Sequence, residues 1–172
     1  MTLPLDAFPD PNYGYTAGPH RPLPGDAADV EIAALDLPVR GVIPPELDGV
    51  FARNSANPRH RPKGRYHWFD GDGLIHAVHL QGGKASYRSR YTQTRGLVRE
   101  AKIGHSVWPG ILEPPDLTLP GGPLKDTANT DLTFWNGELV ATWWLSGQPM
   151  AVDPRTLATR GPETFGGQLK RS

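Results

Sequence analysis

The sequence predicts an all-β fold built from short strands in two successive antiparallel meanders. Three observations carry this. Glycine (20) and proline (19) together exceed a fifth of the 172 residues, which is hostile to long helices and suits many turns. From Arg65 onward, short runs rich in β-branched and aromatic residues alternate with glycine-rich breaks. Asn136-Gly137 separates two such runs, and both residues accept the positive φ of a two-residue hairpin turn.

Taken in order, residues 1–62 hold eleven of the nineteen prolines. They read as an extended arm, proper to residues 1–40, with weak helical periodicity only over Asp26–Leu37. "GVIPPELDGVFARNSANP" (Gly41–Pro58) sets apolar residues between turn residues, as ordered chain does. The first meander reads as a strand "RYHWFD" (65–70), a turn "GDG" (71–73), a strand "LIHAVHL" (74–80), a turn "QGGK" and a strand "ASYRSRYTQT" (85–94). A proline- and glycine-rich loop, "IGHSVWPGILEPPDLTLPGGP" (103–123), follows. The second meander reads as "TDLTFW", Asn136-Gly137, "ELVATWWL", "SGQ", "PMAVDP" and "LATRG". Two meanders joined by a long loop suit successive propeller blades or the two sheets of a sandwich.

Composition narrows the function classes. Formal net charge is zero and the pI is near 7.0, without the basic excess of a nucleic-acid footprint. The absence of cysteine excludes disulfides, thiolate metal sites and a cysteine nucleophile. The N-terminus lacks the basic start and apolar run of a secretory signal. The longest apolar stretch, Leu139–Leu145, is far too short to cross a bilayer. The expected location is the cytoplasm.

The densest cluster of chemistry-bearing residues is "YHWFDGDGLIHAV", Tyr66–Val78. Side chains alternate faces along a strand, so His76 falls with Leu74, Val78 and Leu80, and His79 with Ile75 and Ala77. A regular strand therefore cannot aim both histidines at one metal. His76 reads as a buried, hydrogen-bonded structural residue and His79 as exposed. Asp70 and Asp72 flank Gly71, as in a turn, and the later ligands of a calcium loop are absent. A carboxylate pair for glycoside hydrolysis is the competing chemistry. Gly71 and Gly73 are expected to carry turn dihedrals that a β-branched residue would resist. His60, in the basic stretch "NPRHRPKGR", reads as solvated, and His105 lies in the long loop without an assigned role. Trp143 and Trp144 point to opposite faces, so at least one belongs to the core.

"GVIPPELDGVFARNSANP", "YHWFDGDGLIHAV", "GKASYRSRYTQT" and "KDTANTDLTFWNGELVATWWLSGQPMAVDPRTLATRG" resemble, in that order, the N-terminal part of the carotenoid cleavage oxygenase family. The family includes apocarotenoid and lignostilbene oxygenases and the retinal pigment epithelium isomerase. The resemblance implies a seven-bladed β-propeller, with residues 41–172 an incomplete N-terminal portion of about two blades. It implies a non-haem Fe(II) held by four histidines, and cleavage of an alkene C=C bond by O2. It assigns His67, Asp70, Gly71, Asp72, Gly73 and His76 to a structural motif. The first iron histidine of the family lies in an "HP" segment beyond the position matched by Ser172. No catalytic, cofactor-binding or metal residue is therefore expected here, and no Fe(II) for this chain alone. Leu145 stands where many members carry an acidic residue that orients a ligand histidine.

The reading that results is an N-terminal fragment of a dioxygenase of carotenoids, apocarotenoids or stilbenes, inactive alone. Its expected partners are the apolar polyene or stilbene, O2 and the C-terminal blades, with peripheral membrane contact left open. The alternatives are a non-catalytic propeller remnant or assembly module, and a propeller hydrolase using Asp70 and Asp72.

Overall fold

A computed structural model describes residues 31–169 of the chain. Most of the expected arm, residues 1–30, and the last three residues lie outside that range.

The first sheet contains β1 (Ala33–Ala34), β2 (Gly49–Asn57), β3 (Asp72–Gln81) and β4 (Lys84–Tyr91), in the order β1-β4-β3-β2. The β3–β4 hairpin turns on Gly82 and Gly83, both at positive φ, with Gln81 opposite Lys84. β2 runs antiparallel to β3 from Gly49↔Leu80 to Asn57↔Asp72. The ordered stretch expected over Gly41–Pro58 is thus an edge strand of this sheet. β1 falls within the weak helical periodicity of Asp26–Leu37, whose described part is extended.

The second sheet contains β5 (Asp131–Trp135), β6 (Glu138–Thr142), β7 (Met150–Val152) and β8 (Thr159–Pro162), in sequence order. Asn136 (φ 47°) and Gly137 (φ 83°) make its first hairpin turn, as the dipeptide predicts. β6 ends at Thr142, short of the strand read through Leu145.

The sheets meet face to face. Ile75 and Ala77 of β3 join Leu139 and Ala141 of β6, Met150 and Val152 of β7, Ala128 and Leu157 in one buried cluster. β2 and β5 approach each other at one margin, where Asn54 Nδ2 donates to the carbonyls of Ala128 (2.8 Å) and Asp131 (3.2 Å).

The opposite face of the first sheet is covered by α1 (Arg95–Ile103), with Leu97 buried against Leu74 and Tyr91. Helical structure here was not anticipated. Its ends are nonetheless chemically marked. Thr94 Oγ1 accepts the Leu97 N–H (3.2 Å), and Gly104 closes the helix at φ 88° with its N–H on the Glu100 carbonyl. Two further readings need correction. Arg65–Asp70 is not a strand, because Trp68–Asp70 coils into a 3-10 turn. Gly71–Gly73 is not the turn itself, because Asp72 and Gly73 already pair in β3. Among the described residues no helix is long and apolar enough to cross a membrane.

Candidate functional site

The residues of "YHWFDGDGLIHAV" are drawn together at the entry to β3, and each has a defined task. His67 caps the 3-10 turn: its Nδ1 accepts the Phe69 N–H (3.1 Å), and its own N–H donates to Asp70 Oδ2 (3.0 Å). Asp70 Oδ1 also accepts the Ile111 N–H (3.0 Å), so one carboxylate ties this turn to the long connection.

Gly71 and Gly73 are required by close approach and not by their dihedrals. Gly71 has φ −65°, which any residue adopts. A Cβ on Gly71 would lie 2.7 Å from the backbone of Ala56 and Asn57. One on Gly73 would lie 2.8 Å from the Thr127 carbonyl and closer still to that of Ala128. The segment "TANT" (Thr127–Thr130) lies against this point. The Gly73 N–H donates to the Thr127 carbonyl (2.8 Å), and Asn129 Nδ2 donates to the carbonyls of Phe69 (2.8 Å) and Gly71 (2.6 Å). The expectation of positive φ at these glycines is therefore replaced by backbone-to-backbone contact.

Asp72 is 2 % exposed and belongs to an ionic cluster that sequence reasoning missed. Lys125 Nζ sits 2.5 Å from Asp72 Oδ1 and 2.6 Å from Glu100 Oε2. The remaining oxygens are also used. Asp72 Oδ2 accepts the Arg59 N–H (3.1 Å), and Glu100 Oε1 accepts the N–H groups of Val107 (2.7 Å) and Trp108 (3.4 Å). Burial opposes the Lys125 charge, but Asp72 and Glu100 outweigh it and hold the ammonium above its usual pKa. Tyr91, pushed up by burial and by the charge of Asp72, stays a phenol.

A cavity of about 40 Å³ borders this cluster, lined by Asp72, Glu100, Lys125, Thr127, Trp143 and His60 among others. His60 is not the solvated loop residue expected. Its Nε2 is buried without a hydrogen-bond partner, and burial lowers its pKa despite Glu100 and Asp72.

The other histidines are held apart. His76, half-buried, meets Ser55 Oγ through Nε2 (2.9 Å) and Tyr87 Oη through Nδ1 (2.6 Å). His79 is not freely exposed; its Nε2 reaches the Pro154 carbonyl (2.8 Å) across the sheet interface. His105 Nδ1 meets the Ser106 carbonyl (3.0 Å). Among the described residues no three His, Asp or Glu side chains are placed to hold a metal ion. These residues do not fit a four-histidine iron site. Asp70 and Asp72 do not fit an acid–base pair either, since both carboxylates are committed to backbone amides and Lys125.

Aromatic rings run beside the site. Trp68, Phe69, Trp144 and Trp143 succeed one another at centroid spacings of 4.5, 5.6 and 6.2 Å. Trp143 is nearly buried, whereas Trp144 and Trp68 are about half exposed. Leu145, also exposed, offers no carboxylate.

The family model described as retinal pigment epithelial membrane protein matches residues 27–172. The chain belongs to this family, that of the carotenoid cleavage oxygenases. Carotenoid cleavage oxygenases similar to it include resveratrol cleavage oxygenase 1 of Chaetomium globosum, 38 % identical over 78 % of this chain and 23 % of its own length. Apocarotenoid-15,15'-oxygenase of Synechocystis is 36 % identical over 76 % of this chain and 28 % of its own. The crystal structure of Pseudomonas brassicacearum lignostilbene dioxygenase superposes with a TM-score of 0.70 at 34 % identity, over 81 % of this chain and 29 % of that one. The two sheets are thus similar to part of the fold of this oxygenase family, and the chain spans less than a third of the length of these relatives.

Proposed function

We propose that this chain builds two neighbouring blades of a β-propeller oxygenase that cleaves an alkene C=C bond of a carotenoid, apocarotenoid or stilbene. Its own contribution is framework and apolar surface. Non-haem iron, which in the complete family domain supplies O2 activation, takes its ligands from outside residues 31–169.

The observation that carries this reading is the commitment of the motif. His67, Asp70, Asp72 and His76 are spent on capping, ion pairing and hydrogen bonds within the chain, around glycines fixed by backbone contact. The half-exposed rings of Trp68 and Trp144 suit a flat apolar substrate. The compounds after which the relatives are named, resveratrol, apocarotenoid and lignostilbene, share that character.

The test uses the purified 172-residue chain with Fe(II), ascorbate, O2 and a panel of apocarotenoids and hydroxystilbenes. A parallel sample fuses the chain to the remaining length of the lignostilbene dioxygenase. Aldehyde products are expected from the fusion only. Turnover by the 172-residue chain above a metal-only control would overturn the assignment of its histidines to structure.

A further inference from the structure

The segment Pro58–Tyr66 borders the cavity beside the ionic cluster, with anchors at Arg59 and Arg65. The Arg59 N–H donates to Asp72 Oδ2 (3.1 Å), and the Arg59 guanidinium stands 5.7 Å from the centre of the Tyr91 ring. Further along, Lys63 bridges to Pro109, and Arg65 binds Glu113 through its N–H (2.7 Å) and its Nε (3.1 Å). His60 sits beside the first of these anchors and lines the same cavity as Asp72, Glu100 and Lys125.

We propose that His60 is a proton-operated latch: the neutral imidazole lets Pro58–Tyr66 close over the Asp72–Lys125–Glu100 cluster, and its protonation releases that segment.

The chemistry is one of occupied partners. The groups facing His60 are Asp72 of β3, Glu100 of α1, Lys125 of the lead into β5 and Arg59 of its own segment. Lys63, Arg65 and Asp70 complete the charged lining of the cavity. The carboxylate oxygens of Asp72 and Glu100 are already taken by Lys125 and by the amides of Arg59, Val107 and Trp108. An imidazolium at His60 would compete with these donors, beside two cations that repel it. Of these competitors only the Arg59 amide lies on the same segment as His60, and its bond to Asp72 is one anchor of that segment. A buried imidazole nitrogen without a partner costs less as a neutral group than as a charged one. Opening lets His60 take up its proton in water.

The sign follows from linkage. The closed-state pKa of His60 lies below its ordinary value of about 6.5, so closure is favoured above that pH. Below it, the opening equilibrium rises by up to about tenfold per pH unit, and levels off once the pH passes the closed-state value.

Hydrogen exchange of the full chain between pH 7.5 and 5, corrected for intrinsic rates, tests this. Amides of Arg59–Tyr66 are expected to lose protection several-fold on acidification, while those of β3 and β4 hold theirs. His60→Asn should make that segment insensitive to pH over the range. Protection that does not change with pH in the parent, or an unchanged response in His60→Asn, overturns the proposal. The latter result would assign the response to the carboxylates. Should His60→Asn fail to fold, the NMR titration of the parent His60 ring decides: a midpoint below about 6.5 supports the latch, and one above it overturns it.

Discussion

Lys125 places one ammonium between two carboxylates that are almost wholly screened from water, with side-chain exposures of 3 % for Asp72 and 1 % for Glu100. Removing that cation leaves two buried anions facing each other. Lys125→Met is therefore expected to cost about 3–5 kcal/mol, read from urea denaturation of the parent and variant. The double variant Lys125→Met with Glu100→Gln should recover part of that loss, since one stranded charge has gone; no recovery would mean that the cost lies in packing. Asp126 gives a prediction in pH. Burial raises its pKa, although the Gln148 and Ala128 N–H groups (3.0 and 3.2 Å) favour the carboxylate. A carboxyl raised in the folded state contributes stability that is complete below its unfolded pKa and is lost as pH rises through the folded value. The stability of Asp126→Asn relative to the parent is thus expected to improve from pH 4 to pH 7. The opposite trend in paired denaturation curves would show that the two amides hold the carboxylate ionised.

At the scale of elements, the entry to β3 is the least tolerant point. Gly71→Val and Gly73→Val drive side chains into the backbone of β2 and of Thr127–Ala128, neither of which can yield without breaking pairing. Both variants are expected to be insoluble or to melt far below the parent. Gly104→Ala meets open space and strains only the left-handed cap, a loss of about 1 kcal/mol by thermal or urea melt. The two hairpin turns were legible because Gly82-Gly83 and Asn136-Gly137 act locally, whatever lies around them. Which residues of β3 share a face was legible from strand parity, but that the face of Ile75, Ala77 and His79 meets the second sheet was not. What was not legible depends on distant chain. The carboxylate at position 72 reads as a turn residue until Lys125 arrives from 53 positions away. His79 reads as exposed until Pro154 covers it. α1 went unnoticed because Gly96 interrupts a short pattern, and Gly96 is there to admit the Lys125 side chain, whose Cγ would lie 2.7 Å from a Cβ. The capping pair Thr94 and Gly104 was the signal that could have found it.

Across the whole molecule, apolar side chains remain on the surface while net charge is absent. Phe51 is 68 % exposed on β2, and Phe134 and Trp135 are 64 % and 55 % exposed on β5. With a pI near 7.0, the chain has no charge repulsion to keep copies apart at neutral pH. Self-association measured by light scattering is expected to be strongest near pH 7 and to fall toward pH 9. Phe51→Glu with Phe134→Glu should lower it at every pH. Association that persists unchanged in the double variant would locate the contact elsewhere.

The tie through Lys125 also imposes an order in time. Apart from the short β1–β4 pair, the ladders form between neighbours in sequence, across turns as short as Gly82-Gly83 and Asn136-Gly137. Such local closures are fast. The Lys125–Glu100 contact spans 25 residues, and among the described residues Lys125 is the cation paired with both acids. On a chain emerging from the ribosome, the first sheet can therefore assemble before its helical cover can settle. Glu100 on α1 and Asp72 beneath it repel until residue 125 has been made. Docking of α1 then coincides with arrival of the segment Thr127–Thr130, which seats the second sheet against the first. One lysine thus acts as a timing signal, joining completion of the first sheet to recruitment of the next.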